Sequence, residues 1–318
     1  MIYQFLKKEK PIEIFYYFLY FNLNFLCYII VIICKFKSIS SLSISYHIFQ
    51  IFSSCLSLKF LSLTRNKPGY LENPKEINDE NKNKKDVNNE TNIIITIESS
   101  PISYLNLMPE NGCSKCHIKK LPLRSHHCQK CQKCVKGFDH HCWILAGCIG
   151  ENNRFKFILF LFFQNISFIY SIIGILNIIN NLQSNEGLEY FLILLFSIMC
   201  LFEIIFFWIF LYHLYLLLTN QSTFEIFNED QCPYLALFKL ERNNILDERG
   251  IAIINNSKIR PFDDGIKNNI FLFYNKMLND DRNINWENIF FKNLKTNKIK
   301  LNLGDKKIQK DFEKNSNI

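Results

Sequence analysis

Glycine and proline are scarce in this chain, at 10 and 8 of 318 residues. That excludes a collagen-like repeat and a proline- or glycine-rich low-complexity chain. Charged residues are also few, at 21%, while apolar residues reach 48%. This balance excludes a wholly disordered protein and a long charge-faced coiled coil. Cysteine is too thin, at 12 residues, for a disulfide-dense secreted scaffold. Seven of the twelve, however, fall between Cys113 and Cys148, together with five of the seven histidines. Clustered cysteine with clustered histidine reads as metal chemistry in a reducing compartment. The length allows more than one folded unit, and the formal net charge is +8.

The apolar residues sit in long blocks. Residues 12–34 carry one charge, Glu13, and are long enough to span a bilayer core, which takes about 20 helical residues. A secretory signal is excluded by the length of the run and by Lys35-Phe36-Lys37 where a small-residue cleavage site would stand. Residues 39–58 are weaker, with seven serines plus His47 and Gln50, but they follow closely enough to be a return crossing. Residues 157–179 and 190–218 are strong spans; the first carries Gln164 and Asn165, the second Glu203 and His213. The expected fold is membrane all-α, with four transmembrane helices and a cytosolic zinc-binding cysteine-rich domain between the second and third. The linker at 180–189 has no Lys or Arg, whereas 59–156 and the tail are rich in both. The positive-inside rule then puts both termini and the long middle segment in the cytosol, with Lys35 and Lys37 counting the other way.

This gives a cytosolic N-terminus at 1–11, a linker at 59–98, the cysteine-rich domain at 99–156 and a cytosolic C-terminal region at 219–318. Within the linker, 71–92 is rich in Asn, Lys and Glu and cannot bury enough surface to order itself. The β-branched run at 93–97 reads as a short strand, and the last twenty residues read as frayed. Glu203, roughly mid-membrane, is expected to hydrogen-bond Gln164 or Asn165.

Two knuckles, Cys113-x2-Cys116 and Cys128-x2-Cys131, are followed by Cys134, by Asp139-His140-His141-Cys142 and by Cys148. A two-residue gap lets two thiolates reach one tetrahedral zinc. Setting Cys142 aside leaves six cysteines, and two histidines complete eight ligands, enough for two closed sites of three thiolates and one imidazole. His126 and His127 are rivals for one ligand position. The remaining thiol, Cys142, stands beside His140 and Asp139. A free thiol is mostly protonated at neutral pH; an adjacent imidazole can take its proton, and a carboxylate can fix that imidazole. These neighbours cannot face one another on a regular helix, so a tight zinc-clamped loop is expected. A purely structural zinc module for protein binding remains the plain alternative for the ligands alone.

These residues resemble the DHHC protein S-acyltransferases, or palmitoyltransferases. The resemblance rests on the Asp139-His140-His141-Cys142 tetrad, the gaps from His127 through Cys148 to Asn153 and Phe157, and the four spans around them. Ser222-Thr223-Phe224-Glu225 is similar to the family's TTxE motif, and Pro261-Phe262-Asp263-Asp264-Gly265 with Asn269 and Phe273 to its C-terminal aromatic motif. Lys67-Pro68-Gly69 is similar to its DPG motif. The resemblance implies one zinc on Cys113, Cys116, His127 and Cys134, and a second on Cys128, Cys131, His141 and Cys148. It implies Cys142 as nucleophile, His140 as its base and Asp139 orienting that base, with Thr223 near Asp139 and Asn269 tying the tail to the core. The substrates would be a fatty acyl-CoA such as palmitoyl-CoA and cysteines of membrane-associated proteins, at the endoplasmic reticulum or Golgi, with an accessory subunit an open option. Arg124, Lys130, Lys133 and Arg154 are candidates to meet CoA phosphates, against the plainer reading as solvated charge. The chain departs from the family in having Trp143-Ile144 after the tetrad, Gly147 before the last ligand, and one extra residue between Cys116 and His127. The alternative reading is a catalytically weak or inactive membrane zinc adaptor or scaffold.

Overall fold

The structure, a computed structural model, describes residues 26–33, 42–65, 67–71, 112–182, 186–235, 260–279 and 283–293. Most of the first expected span, nearly all of the 71–92 linker, the 93–97 run and the last twenty residues lie outside the described residues. The chain divides into two compact units: residues 1–69, 139–217 and 273–280, and residues 70–138, 218–272 and 281–318.

The first unit is mostly helical. It contains α1 (26–33), α2 (Ile44–Arg65), the hairpin β3 (His140–Cys142) and β4 (Gly147–Ile149), α3 (Arg154–Asn181) and nearly all of α4 (Glu186–Leu218). Among the described residues, two helices are long and apolar enough to cross a membrane, Arg154–Asn181 and Gly187–Leu218. They coincide with the third and fourth spans expected from sequence. The α2 helix buries Tyr46, Gln50, Ser53, Ser57, Leu61 and Thr64, a single face at three- and four-residue spacing. That face is largely polar, and it meets α3 through Gln50 to Ser171, Ser54 to Ser167, and Ser57 to Gln164 Oε1. Outward stand Ile44, 76% exposed, with Ile48, Phe49 and Phe52. A helix folding in water buries the opposite face. Gly174 sits where a Cβ would come 2.5 Å from Tyr46 Oη and 2.7 Å from Val31, so only glycine admits this close approach. Tyr46 in turn donates to the Tyr170 carbonyl.

Asn153 stands at the start of α3 and gathers three strands of backbone. Its amide nitrogen donates to Thr64 O at 2.7 Å and Cys148 O at 2.9 Å, and its oxygen accepts from Gly150 N at 2.8 Å. The end of α2, the edge of β4 and the head of α3 are thereby tied together.

The second unit holds the hairpin β1 (His126–Cys128) and β2 (Lys133–Val135), with Tyr70 bridged to Val135 and Cys113 bridged to Ile118. The short helix α5 (Thr223–Phe227) starts on a capping box: Ser222 accepts from Glu225 N, and Glu225 reaches back to Ser222 N. Serine caps as well as threonine, so the altered first residue of this motif leaves the local structure intact. Arg124 is buried against it. Its guanidinium makes a two-pronged contact with Glu225 at 2.8 and 2.7 Å, reaches Asn220 Oδ1 at 2.9 Å, and lies over the Phe262 and Trp286 rings at 4.2 and 4.4 Å. The helix α6 (Ile266–Leu278) carries Asn269, which donates to the Leu218 carbonyl at 2.7 Å and to Asp263 at 2.8 Å, as expected of a residue tying the tail in place.

Candidate functional site

In β1–β2, His127 lies directly opposite Cys134. Its Nδ1 is 3.5 Å from Cys113 Sγ, 3.3 Å from Cys116 Sγ and 3.8 Å from Cys134 Sγ. A tetrahedral zinc with ordinary bond lengths would hold sulfur and nitrogen about 3.6 Å apart, so this donor set and spacing fit zinc. Side chains alternate along a strand, so His126 must face away from His127. It lies against Phe224, with tilted rings whose centroids are 3.9 Å apart, and burial pushes its pKa down to about 4 against the pull of Glu225.

In β3–β4 the register repeats: His141 lies opposite Cys148, with Nδ1 3.8 Å from Sγ. Each remaining ligand candidate also has a partner within its own unit; the Cys131 amide donates to Cys128 Sγ at 3.4 Å in the second unit. Cysteine and histidine thus gather into clusters that could hold two metal ions.

The same alternation turns His140 and Cys142 to the face opposite His141. The tight loop expected from sequence is a strand edge, and its period of two does the sorting. His140 Nδ1 lies 2.7 Å from Asp139 Oδ2, and His140 also hydrogen-bonds Cys142, which leaves Nε2 as the nitrogen facing the thiol. Burial opposes a charge on His140, but the hydrogen bonds and charges of Asp139 and Cys142 outweigh it and push its pKa up to about 10. Burial likewise opposes ionisation of Asp139, yet the His140 hydrogen bond and the charges of Arg154, His140 and His213 hold its carboxyl well below the usual carboxylate range. The strand backbone pins the group further, since Asp139 N donates to Ile149 O at 2.9 Å. Cys142 is 6% exposed and packs in the same apolar cluster as Leu145, Ile149 and Phe157.

Other expectations fare differently. Arg124 and Arg154 are buried, and Arg124 is occupied by Glu225, which does not suit a phosphate-binding surface. Among the described residues, Glu203 does not pair with Gln164, which Ser57 engages, or with Asn165, which bonds Leu161 O on its own helix, and its Oε2 has no hydrogen-bond partner among them. Two arrangements were not foreseen from sequence. One is the Arg124–Glu225 pair, whose members are remote in the chain. The other is His213, whose only signal was a polar residue inside an apolar run.

The family model described as DHHC palmitoyltransferase matches residues 106–230. A Dictyostelium discoideum relative named as a ZDHHC-type palmitoyltransferase is 30% identical over 181 residues, 54% of this chain and 35% of its own length. Protein S-acyltransferase 10 of Arabidopsis thaliana is 31% identical over 159 residues, 50% of this chain and 42% of its own. Palmitoyltransferase SWF1 of Saccharomyces cerevisiae is 43% identical over 74 residues, 23% of this chain and 22% of its own. The chain therefore spans about half or less of each of these three relatives.

Proposed function

Because residues 106–230 match the DHHC palmitoyltransferase family model, we propose that the chain is an integral-membrane protein S-acyltransferase. The observation that carries this reading is the 2.7 Å contact of Asp139 with His140, together with the placing of His140 and Cys142 on one face of β3, which turns the thiol away from the histidine of the metal cluster. In this proposal His140 takes the Cys142 proton, and the thiolate attacks the carbonyl carbon of a long-chain acyl-CoA. The bond from that carbon to the CoA sulfur breaks, and CoA leaves with the proton held by His140. A cysteine thiol of a membrane-associated protein then gives its proton to His140 and attacks the acyl-enzyme, and Cys142 departs as the new thiol. Both steps exchange one thioester for another, so positioning and thiolate supply are what the protein must add.

We assign one structural zinc to Cys113, Cys116, His127 and Cys134, and a second to Cys128, Cys131, His141 and Cys148. Such ions would brace the hairpins and supply no reacting group, because a closed four-ligand shell has no open position. We further propose four spans. The polar inner face and apolar outer face of α2 support the second, since lipid, unlike water, leaves apolar side chains at ease outside. Both termini and the cysteine-rich domain would be cytosolic, which brings Cys142 to the membrane surface where acyl-CoA and its protein targets meet. The serine-rich second span favours the thinner endoplasmic reticulum or Golgi bilayer.

The test is incubation of the purified full chain with a clickable palmitoyl-CoA analogue, followed by neutral hydroxylamine. The proposal expects a hydroxylamine-labile label that is absent from Cys142→Ser. A wild-type chain that stays unlabelled with full zinc content would leave only the scaffold reading.

A further inference from the structure

The catalytic line has a fourth member that neither the motif nor its neighbours in sequence reveal. His213 lies near the end of α4, buried, with Nδ1 3.7 Å from Asp139 Oδ2, the same oxygen that His140 Nδ1 meets at 2.7 Å. Its ring sits 5.1 Å from the His140 ring, and the Phe157 ring makes a T-shaped contact with each, at 5.0 Å from His213 and 5.7 Å from His140. On the other carboxylate oxygen, Arg154 Nη2 stands 3.9 Å from Asp139 Oδ1, and its guanidinium is backed by the Phe273 ring at 4.9 Å. A carboxylate can orient an imidazole only if the carboxylate itself is held. Each contact on the carboxylate restrains rotation about the Asp139 χ2, a rotation that would let the His140 ring swing away from the thiol.

We propose that His213 is a positioning residue for acyl transfer: it holds the Asp139 carboxylate and closes the side of the His140 ring, so that His140 stays aimed at Cys142. The inference rests on the acyltransferase reading above and adds to it a residue on a transmembrane helix. The ring contact and the carboxylate contact are separable in their chemistry. A phenylalanine keeps a ring but offers no polar atom. An asparagine has no ring, but its amide nitrogen occupies the place of Nδ1. Because Nδ1 is the atom that faces Asp139, asparagine is the closer mimic and glutamine, one methylene longer, is not. Asp139, His140 and His213 together have the spacing to take a metal ion. The Arg154 guanidinium beside the same carboxylate disfavours a second cation there, so a positioning role suits the geometry better.

The experiment measures single-turnover acylation of Cys142 in the full-length protein in nanodiscs, across acyl-CoA concentrations, with zinc content and melting temperature recorded for each variant. His213→Phe is expected to lower the saturating rate about ten- to hundredfold, as small misplacements of a reacting group do. The half-saturating acyl-CoA concentration should stay unchanged, and His213→Asn should recover most of the rate. A His213→Phe chain that acylates at the wild-type rate overturns the inference. So does a loss that asparagine fails to restore while zinc and melting temperature are normal. Should the phenylalanine variant lose its zinc, the Asn and Gln variants decide: asparagine faster than glutamine upholds the role, and equal rates sink it. A wild-type chain with no hydroxylamine-labile acyl group defeats the acyltransferase reading itself, and this inference falls with it; a labelled wild type isolates the question to His213.

Discussion

The two zinc-type hairpins are copies of one another fourteen residues apart. His126-His127-Cys128 and Cys134 in β1–β2 correspond to His140-His141-Cys142 and Cys148 in β3–β4. Both place the middle histidine opposite the last cysteine, and both turn on one left-handed residue, Gln132 at φ 54° and Ala146 at φ 49°. They differ where chemistry is decided. In the first, Cys131 sits in the turn and completes a knuckle with Cys128; in the second, that position is the buried Leu145. In the first, Ser125 precedes the histidine pair; in the second, it is Asp139. One hairpin therefore ends in a pair of thiols suited to zinc, and the other in a lone thiol beside an imidazole–carboxylate pair. The outer histidines diverge accordingly: aromatic burial pushes His126 down to about 4, while Asp139 and Cys142 push His140 up to about 10.

The widest gap between the copies should appear when their third residues are exchanged for alanine. Cys128→Ala should lose one zinc and unfold the hairpins, since a structural zinc supplies on the order of 10 kcal/mol of folding free energy. Cys142→Ala should keep both zincs and its melting temperature while forming no acyl-enzyme; elemental analysis with thermal unfolding reads both outcomes. Next comes the residue before each pair. Asp139→Asn should slow acylation by about 10³- to 10⁴-fold with zinc retained, as losing the carboxylate of a triad does; Ser125→Ala should leave that rate at the wild-type level.

Removing the charge of Glu225 would strand buried Arg124 and should cost about 3–5 kcal/mol, read as a lowered melting temperature. The corresponding loss of a surface ion pair such as Lys292–Asp264 should be close to undetectable. Small as well is His126→Phe, a ring exchanged for a ring between Phe224 and Phe138, which should shift stability by less than about 1.5 kcal/mol. His140→Phe, the same change one copy later, should abolish acylation.

The clusters that could hold metal were legible in the sequence because metal chemistry constrains spacing: the knuckle gaps, and a thiol that ligand counting can set aside, need no structure to be seen. The choice of His127 over His126 came only through the family resemblance, because adjacent residues differ only in which face of a strand they take, and no strand was expected there. The two long apolar runs announced α3 and α4, but the weaker α2 declared itself only through its buried serines and Gln50, which pair with residues more than a hundred positions away. Arg124 looked like a solvated or phosphate-facing charge; its partner Glu225 belongs to a distant motif, and no local pattern joins them. His213 was hidden for the same reason.

The central claim is that one sulfur of the seven in the cysteine-rich domain is spared from metal and used for chemistry. Native mass spectrometry of the full chain after brief exposure to palmitoyl-CoA counts zinc and acyl groups on the same molecule, and peptide mapping locates the acyl group. The account predicts two zincs and one palmitoyl group on Cys142. An acyl group on any other cysteine of the domain, or a zinc lost for each acyl group gained, would contradict it.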